Sequence, residues 1–215
     1  MLQIKKITFS PFQENTYILF NEKKEAWIID PGMYDKKEEQ LFFDFIESEK
    51  LIPQMLLCTH THIDHIFGCQ AVLNKYTIPF AFHQKDDVVF QNAGLVSERY
   101  GVEYKISPQP TFFIDESKML MLGNYTFSIL FTPGHSPGSI CFYCKEENVV
   151  ISGDVLFQNS VGRTDLPGGD MNTLIKSIHT QLFTLPDNTK VFSGHGPETT
   201  IGLEKMNNPF VGLNK

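Results

Sequence analysis

The sequence has no apolar run approaching the roughly 20 residues that a bilayer span requires, so a membrane location is not expected. Cysteine is scarce. Cys58, Cys69, Cys141 and Cys144 are too few over 215 residues for a disulfide framework. The opening Met1-Leu2-Gln3-Ile4-Lys5-Lys6 alternates like a strand and lacks the apolar segment and small-residue cleavage site of a signal peptide. A reduced, cytoplasmic protein is the expectation. Positive charge is also short: 18 Lys and Arg face 25 Asp and Glu, for a net charge of -7. Such a balance repels phosphate backbones, so nucleic acid is not an expected partner. A small anionic substrate remains compatible, because bound cations reverse the local field in a cleft. With no linker, repeat or low-complexity tract, one domain over residues 1–215 is expected.

What is present is ordinary globular material with many phenylalanines, 19 in all. Strand-like runs fall at 2–9, 16–20, 26–29, 54–58, 80–82, 125–131, 139–143, 149–151 and 190–193. Helical patterns lie between them. One is capped by Asp35 with Glu38 three residues on, and puts Leu41, Phe42, Phe45 and Ile46 on one face. A second follows Asp64, burying Ile66, Val72, Leu73 and Tyr76. A third is capped by Asp170, and a short one spans 199–206. Strand series interrupted by helices predict mixed sheets covered by helices.

Four of the apolar runs end in polar, metal-ligating residues: Thr59-His60, Gly134-His135, Gly153-Asp154 and Gly194-His195. The densest is His60-Thr61-His62-Ile63-Asp64-His65. Imidazole and carboxylate suit zinc, iron and manganese rather than soft thiolate chemistry. One tetrahedral ion cannot readily use all four of these groups and a water. Two ions can, if His135, Asp154 and His195 complete the sets. Cys141 and Cys144, an isolated C-x-x-C inside a strand pattern, are expected to pack rather than bind metal. His83 is expected at a helix start, and His179 as a pairing residue on a helix.

The ordered set of His60, His62, Asp64, His65, His135, Asp154 and His195, with Asp30-Pro31-Gly32 after a strand, resembles the metallo-β-lactamase superfamily from about residue 15 to residue 196. That resemblance implies an α+β fold, a four-layer αββα sandwich of two mixed sheets flanked by helices. It implies one metal on His60, His62 and His135, a second on Asp64, His65 and His195, and Asp154 bridging them. Zinc is the first choice for both ions, with iron or manganese also suited.

Within the superfamily, the stretch 160–170 (Ser-Val-Gly-Arg-Thr-Asp-Leu-Pro-Gly-Gly-Asp) and the ending from Gly194 resemble short, bacterial-type hydroxyacylglutathione hydrolases, which are glyoxalase II-like. The implied substrate is a small thioester such as S-lactoylglutathione. A metal-bridging hydroxide would attack it, with Asp64 orienting that hydroxide. Only about twenty residues follow His195, against the C-terminal helical domain that grips glutathione in long glyoxalase II enzymes. Arg163 is a candidate for holding a substrate carboxylate, or else pairs with Asp165 or Asp170 to fix its own loop. The same motifs also resemble persulfide dioxygenases. Those hold one iron on two histidines and an aspartate, here His60 or its neighbour, His135 and Asp154, and act on glutathione persulfide. Lactonase chemistry is a further hydrolytic alternative.

Overall fold

The computed structural model describes residues 1–213, and the chain divides into two compact units. The first comprises Met1–Ile114 with Leu122–Asn124. Its elements in order are β1 (Gln3–Phe9), β2 (Glu14–Phe20), β3 (Glu25–Ile29), α1 (Lys36–Ser48), β4 (Ile52–Leu57), α2 (Ile63–Ile66), α3 (Cys69–Lys75), β5 (Phe80–His83), α4 (Asp87–Gln91), α5 (Ala93–Tyr100) and β6 (Phe112–Ile114). The six strands form one sheet in sequence order. β1–β2 and β2–β3 pair antiparallel, while β3–β4, β4–β5 and β5–β6 pair parallel.

The charged run at residues 21–25 makes the β2–β3 hairpin turn, as its composition suggests. The Asn21 side-chain oxygen accepts the backbone N–H groups of Lys23 and Glu25. The parallel half of the sheet needs three crossovers, and α1, then α2 with α3, then α4 with α5 supply them. α1 is capped by Asp35, which accepts from Lys37 and Glu38. Glu38 does not complete a capping box. Its carboxylate instead takes the N–H groups of Ser10 and Tyr34, tying the β1–β2 turn to the helix. Phe42 and Ile46 are buried as expected, but Leu41 is 57% exposed, because the buried stripe is narrower than the apolar pattern. The helix expected after Asp64 is two: α2 already contains Asp64, and the chain breaks before α3, where Gly68 donates to the Pro31 carbonyl at 2.7 Å. Phe9, Ile28, Phe42, Leu56, Ile66, Val72 and Phe80 meet in the core of this unit, each fully or almost fully buried. Burying one such side chain is worth about 1.5–3 kcal/mol.

The second unit comprises Asp115–Met121 and Tyr125–Lys215. It carries β7 (Met119–Leu122), β8 (Tyr125–Phe131), β9 (Ile140–Cys144), β10 (Val149–Gly153), β11 (Leu156–Phe157), β12 (Ser160–Val161), α6 (Met171–Ser177), β13 (Lys190–Ser193), β14 (Thr199–Thr200) and α7 (Ile201–Asn207). The second six-stranded sheet runs β14-β13-β10-β9-β8-β7, and β11 and β12 form a separate small hairpin. It too is mixed: β10–β13 is parallel, while β8–β9, β9–β10 and β13–β14 are antiparallel. Asp170 caps α6 through the Thr173 N–H, and one π-helical turn (Ile178–Leu182) follows. Leu174, Ile178 and Leu182 are buried against Val150, Val191 and Ile201.

The architecture is α+β, two mixed sheets flanked by helices. Every strand-like run of the sequence is a strand. The short β6, β7, β11, β12 and β14 and the helices α4 and α5 carry too few periodic residues to be read beforehand.

Candidate metal centre

β3, β4 and β5 lie side by side and parallel, so their C-terminal ends share one edge of the first sheet. The loop leaving β4 carries His60, His62, Asp64 and His65. The neighbouring strand ends supply the carboxylates that hold it. Asp30, just after β3, sits in the left-handed backbone region at φ 50°, which Asp tolerates better than most residues. Its Oδ1 accepts the Thr59 N–H and its Oδ2 the Thr59 hydroxyl, both at 2.7 Å.

That bond fixes a tautomer. The single Thr59 hydroxyl proton goes to Asp30, so the same oxygen, 3.1 Å from His60 Nδ1, accepts a proton from that nitrogen. Asp30 Oδ2 also lies 3.2 Å from His65 Nδ1. Through Thr59 the buried carboxylate thus leaves Nε2 of His60 as the lone-pair nitrogen, as metal-ligating histidines require. The rings converge: His60 is 4.8 Å from His62 and 4.1 Å from His65 between centroids. Asp64 Oδ2 lies 3.8 Å from His65 Nε2.

Glu14 completes a buried acid–imidazole cluster with Asp30 and His65. Its Oε2 accepts from the Thr16 hydroxyl at 2.9 Å, and its Oε1 lies 3.9 Å from His65 Nδ1. Burial drives the Glu14 carboxyl well above the usual carboxylate range, although His65 pulls the other way.

The second unit presents His135, Asp154 and His195. β10 and β13 are parallel neighbours that end together, where the Gly194 N–H donates to the Gly153 carbonyl at 2.8 Å. Gly153 has φ 51° at a register shift, and this left-handed kink turns Asp154 off the strand. His135 Nε2 and His195 Nε2 each lie 3.5 Å from Asp154 Oδ2. His135 Nδ1 donates to the Arg163 carbonyl at 2.8 Å; a carbonyl only accepts, so this tautomer too is set with Nε2 toward Asp154. The loop gets that close because residue 162 is glycine. A Cβ there would sit 1.9 Å from the Asp154 carbonyl oxygen and 3.0 Å from His135 Nδ1. Phe157 stands edge-on to His195.

Arg163 acts here through its backbone. Its guanidinium is engaged bidentately by Asp165, both bonds at 2.7 Å, which holds the Asp165 carboxyl down at about 2. Asp170 takes no part in that pair and caps α6. Cys141 and Cys144 are both buried in β9, and burial lifts the Cys144 thiol to about 11. His83 ends β5 and accepts the Lys85 N–H, and His179 pairs with the Val211 carbonyl. Tyr104 is tied to Ser107 and Tyr100 packs edge-on to Phe12.

Each unit therefore gathers its own share of the expected ligands: four in the first, three in the second. The sequence reading missed the supporting residues Glu14, Thr59, Thr61 and Asp86, and it took Asp30 only as part of a family turn. A signal was present in Thr59-His60-Thr61-His62, where every second residue is a threonine able to anchor the loop. The imidazole and carboxylate donors, with His60 and His135 held for coordination through Nε2, fit a divalent ion such as zinc, iron or manganese.

Comparison with known proteins agrees. A family model described as the metallo-beta-lactamase superfamily matches residues 9–195. The probable metallo-hydrolase YqgX of Bacillus subtilis (strain 168) is 40% identical over 212 residues, 96% of each chain. Hydroxyacylglutathione hydrolase GloC of Haemophilus influenzae is 37% identical over 212 residues, 98% of each chain. The crystal structure of the BLEG-1 B3 metallo-beta-lactamase matches with a TM-score of 0.90 and 42% identity, over 97% of this chain and 99% of that one. The chain belongs to the metallo-beta-lactamase superfamily, as a metallo-hydrolase.

Proposed function

We propose that this chain is a thioester hydrolase. His60, His62 and His135 hold one divalent ion, Asp64, His65 and His195 a second, and Asp154 serves both. The reading is carried by the likeness to hydroxyacylglutathione hydrolase GloC over nearly the whole of both chains. It accords with one histidine in each unit, His60 and His135, held with Nε2 free to ligate. Bound there, two divalent ions supply Lewis acidity and lower the pKa of water toward neutrality.

The residues of the chain supply the rest. Asp30, through Thr59, and the Arg163 carbonyl keep the His60 and His135 imidazoles aimed. We assign Asp64 to orienting the attacking water through its carboxylate. Phe157, beside His195, gives an apolar surface for the substrate. A thioester releases a thiolate whose conjugate acid has a pKa of about 8.5, so it departs without a general acid. That suits a site whose ionisable groups are taken up as ligands and their supports. The implied substrate is a small S-acyl thiol such as S-lactoylglutathione, zinc is the first choice of metal, and the site of action is the cytoplasm.

The test is elemental analysis of purified protein paired with thiol release from S-lactoylglutathione. Two metals per chain and thiol release removed by chelation are expected. One iron per chain with oxygen consumption on glutathione persulfide would instead make the protein a dioxygenase. The likeness to a B3 metallo-beta-lactamase gives a second reading, hydrolysis of a β-lactam amide, and ring opening of a chromogenic β-lactam without thioester cleavage would select it.

A further inference from the structure

The loop after β4 is clamped from two sides. Asp30, at the end of β3, takes Thr59. The other flanking strand is β5, and the turn after it (Gln84–Asp86) carries a buried carboxylate, Asp86, to the far side of the same loop. Asp86 Oδ2 accepts the Thr61 backbone N–H and lies 2.9 Å from the Thr61 hydroxyl; that hydroxyl also lies 3.0 Å from the Asp86 carbonyl. Thr61 sits between His60 and His62. The Thr59 and Thr61 hydroxyls turn to the two carboxylates, and the His60 and His62 rings between and beyond them stand edge-on, 4.8 Å apart.

We infer that Asp86 is a positioning residue of the metal centre: by gripping Thr61 it holds His60 and His62 in ligating geometry before any metal binds. The inference deepens the reading above and rests on His60 and His62 being metal ligands. The physical reason is preorganisation. A six-residue ligand loop that fluctuates must be ordered when the ion arrives, and that ordering subtracts from affinity. Asp86 has done the ordering during folding. Asp86 follows β5, a parallel neighbour already fixed by β4–β5 pairing and by the Cys58 N–H to Ala81 carbonyl bond. Asp30 reaches the loop at Thr59 and at His65, and between them, among the described residues, only Asp86 takes Thr61, the residue that separates His60 from His62.

The test uses metal-free full-length protein titrated with cobalt(II), read by its d–d absorption and by competition with a chromophoric chelator. Folding of each metal-free variant is checked by circular dichroism. Loss of a partner that orients a metal ligand lowers affinity about 10–100-fold. Asp86→Ala is expected at the upper end of that range, with a changed d–d spectrum. Thr61→Val, which removes only the hydroxyl, is expected near the lower end, and Thr61→Ser restores wild-type behaviour. If Asp86→Ala does not fold, the Thr61→Val and Thr61→Ser pair decides. Wild-type affinity and spectrum in folded Asp86→Ala, or in Thr61→Val where Asp86→Ala does not fold, would overturn the inference and leave the ligand assignment intact. Failure of the wild-type protein to bind cobalt would sink the ligand assignment and the inference with it.

Discussion

The two donor sets solve the same problem by opposite means. In the first unit four candidate ligands lie within six residues, and side chains hold them: Asp30 through Thr59, Asp86 through Thr61, and Glu14 behind His65. In the second unit three candidate ligands are spread over sixty residues, and backbone holds them. The Arg163 carbonyl fixes His135, the Gly153–Gly194 bond joins the ends of β10 and β13, and Gly162 lets the loop approach. A contiguous ligand run shares one loop, which must be pinned from outside by long-range acceptors. Dispersed ligands each start from a rigid strand and need only the correct turn.

That contrast is open to direct attack. The largest effect is expected from Asp30→Ala. It leaves the buried Thr59 N–H and hydroxyl without their acceptor, at about 1–3 kcal/mol for each unsatisfied group, and releases the tautomer of His60. A fall of more than 10 °C in the melting temperature of metal-free protein, with metal content below one ion per chain, is expected from calorimetry and elemental analysis. Intact metal binding in Asp30→Ala would remove the claim that side-chain acceptors hold the first set.

Next comes Gly162→Ala. The added methyl meets backbone, the Asp154 carbonyl at 1.9 Å, so the loop must move and take the Arg163 carbonyl off His135. Overpacking of this kind costs about 1–3 kcal/mol. Metal retention after dialysis is expected to drop by half, from the weakening of the second set. A variant with unchanged stability and metal content would show that the backbone approach is dispensable.

The smallest effect concerns Arg163. Its guanidinium is spent on Asp165, so Arg163→Ala is expected to change kcat/KM less than about fivefold while His135 keeps its carbonyl partner. A KM rise of a hundredfold would instead assign the side chain to a substrate carboxylate. The Asp165 carboxyl is depressed in the folded protein, chiefly by its bond to Arg163. The pair is therefore present above the ordinary Asp pKa and is lost only as pH falls through about 2. A carboxyl NMR titration with its midpoint near 4 would show the pair to be absent in solution.

Much of this was legible in the chain itself. The seven candidate ligands, the strand runs that precede them and the helices capped by Asp35 and Asp170 are local features, written in spacing and composition. Leu41 was misplaced because periodicity gives the direction of an apolar face and not its width. The helix after Asp64 was drawn as one piece because nothing in the spacing signals that Gly68 must reach the Pro31 carbonyl.

By itself, then, the sequence determined which side chains are donors and which strands deliver them, since both depend on residue type and short-range periodicity. The tertiary structure alone decided which nitrogen of His60 and of His135 carries the proton. It also decided which carboxylates brace the loop and why position 162 has no side chain. Apart from the approach of Gly162 to Asp154, those depend on contacts between residues 25 or more positions apart, brought together by the pairing of β3, β4 and β5 and by the parallel ends of β10 and β13, and no local pattern encodes a distance across a sheet.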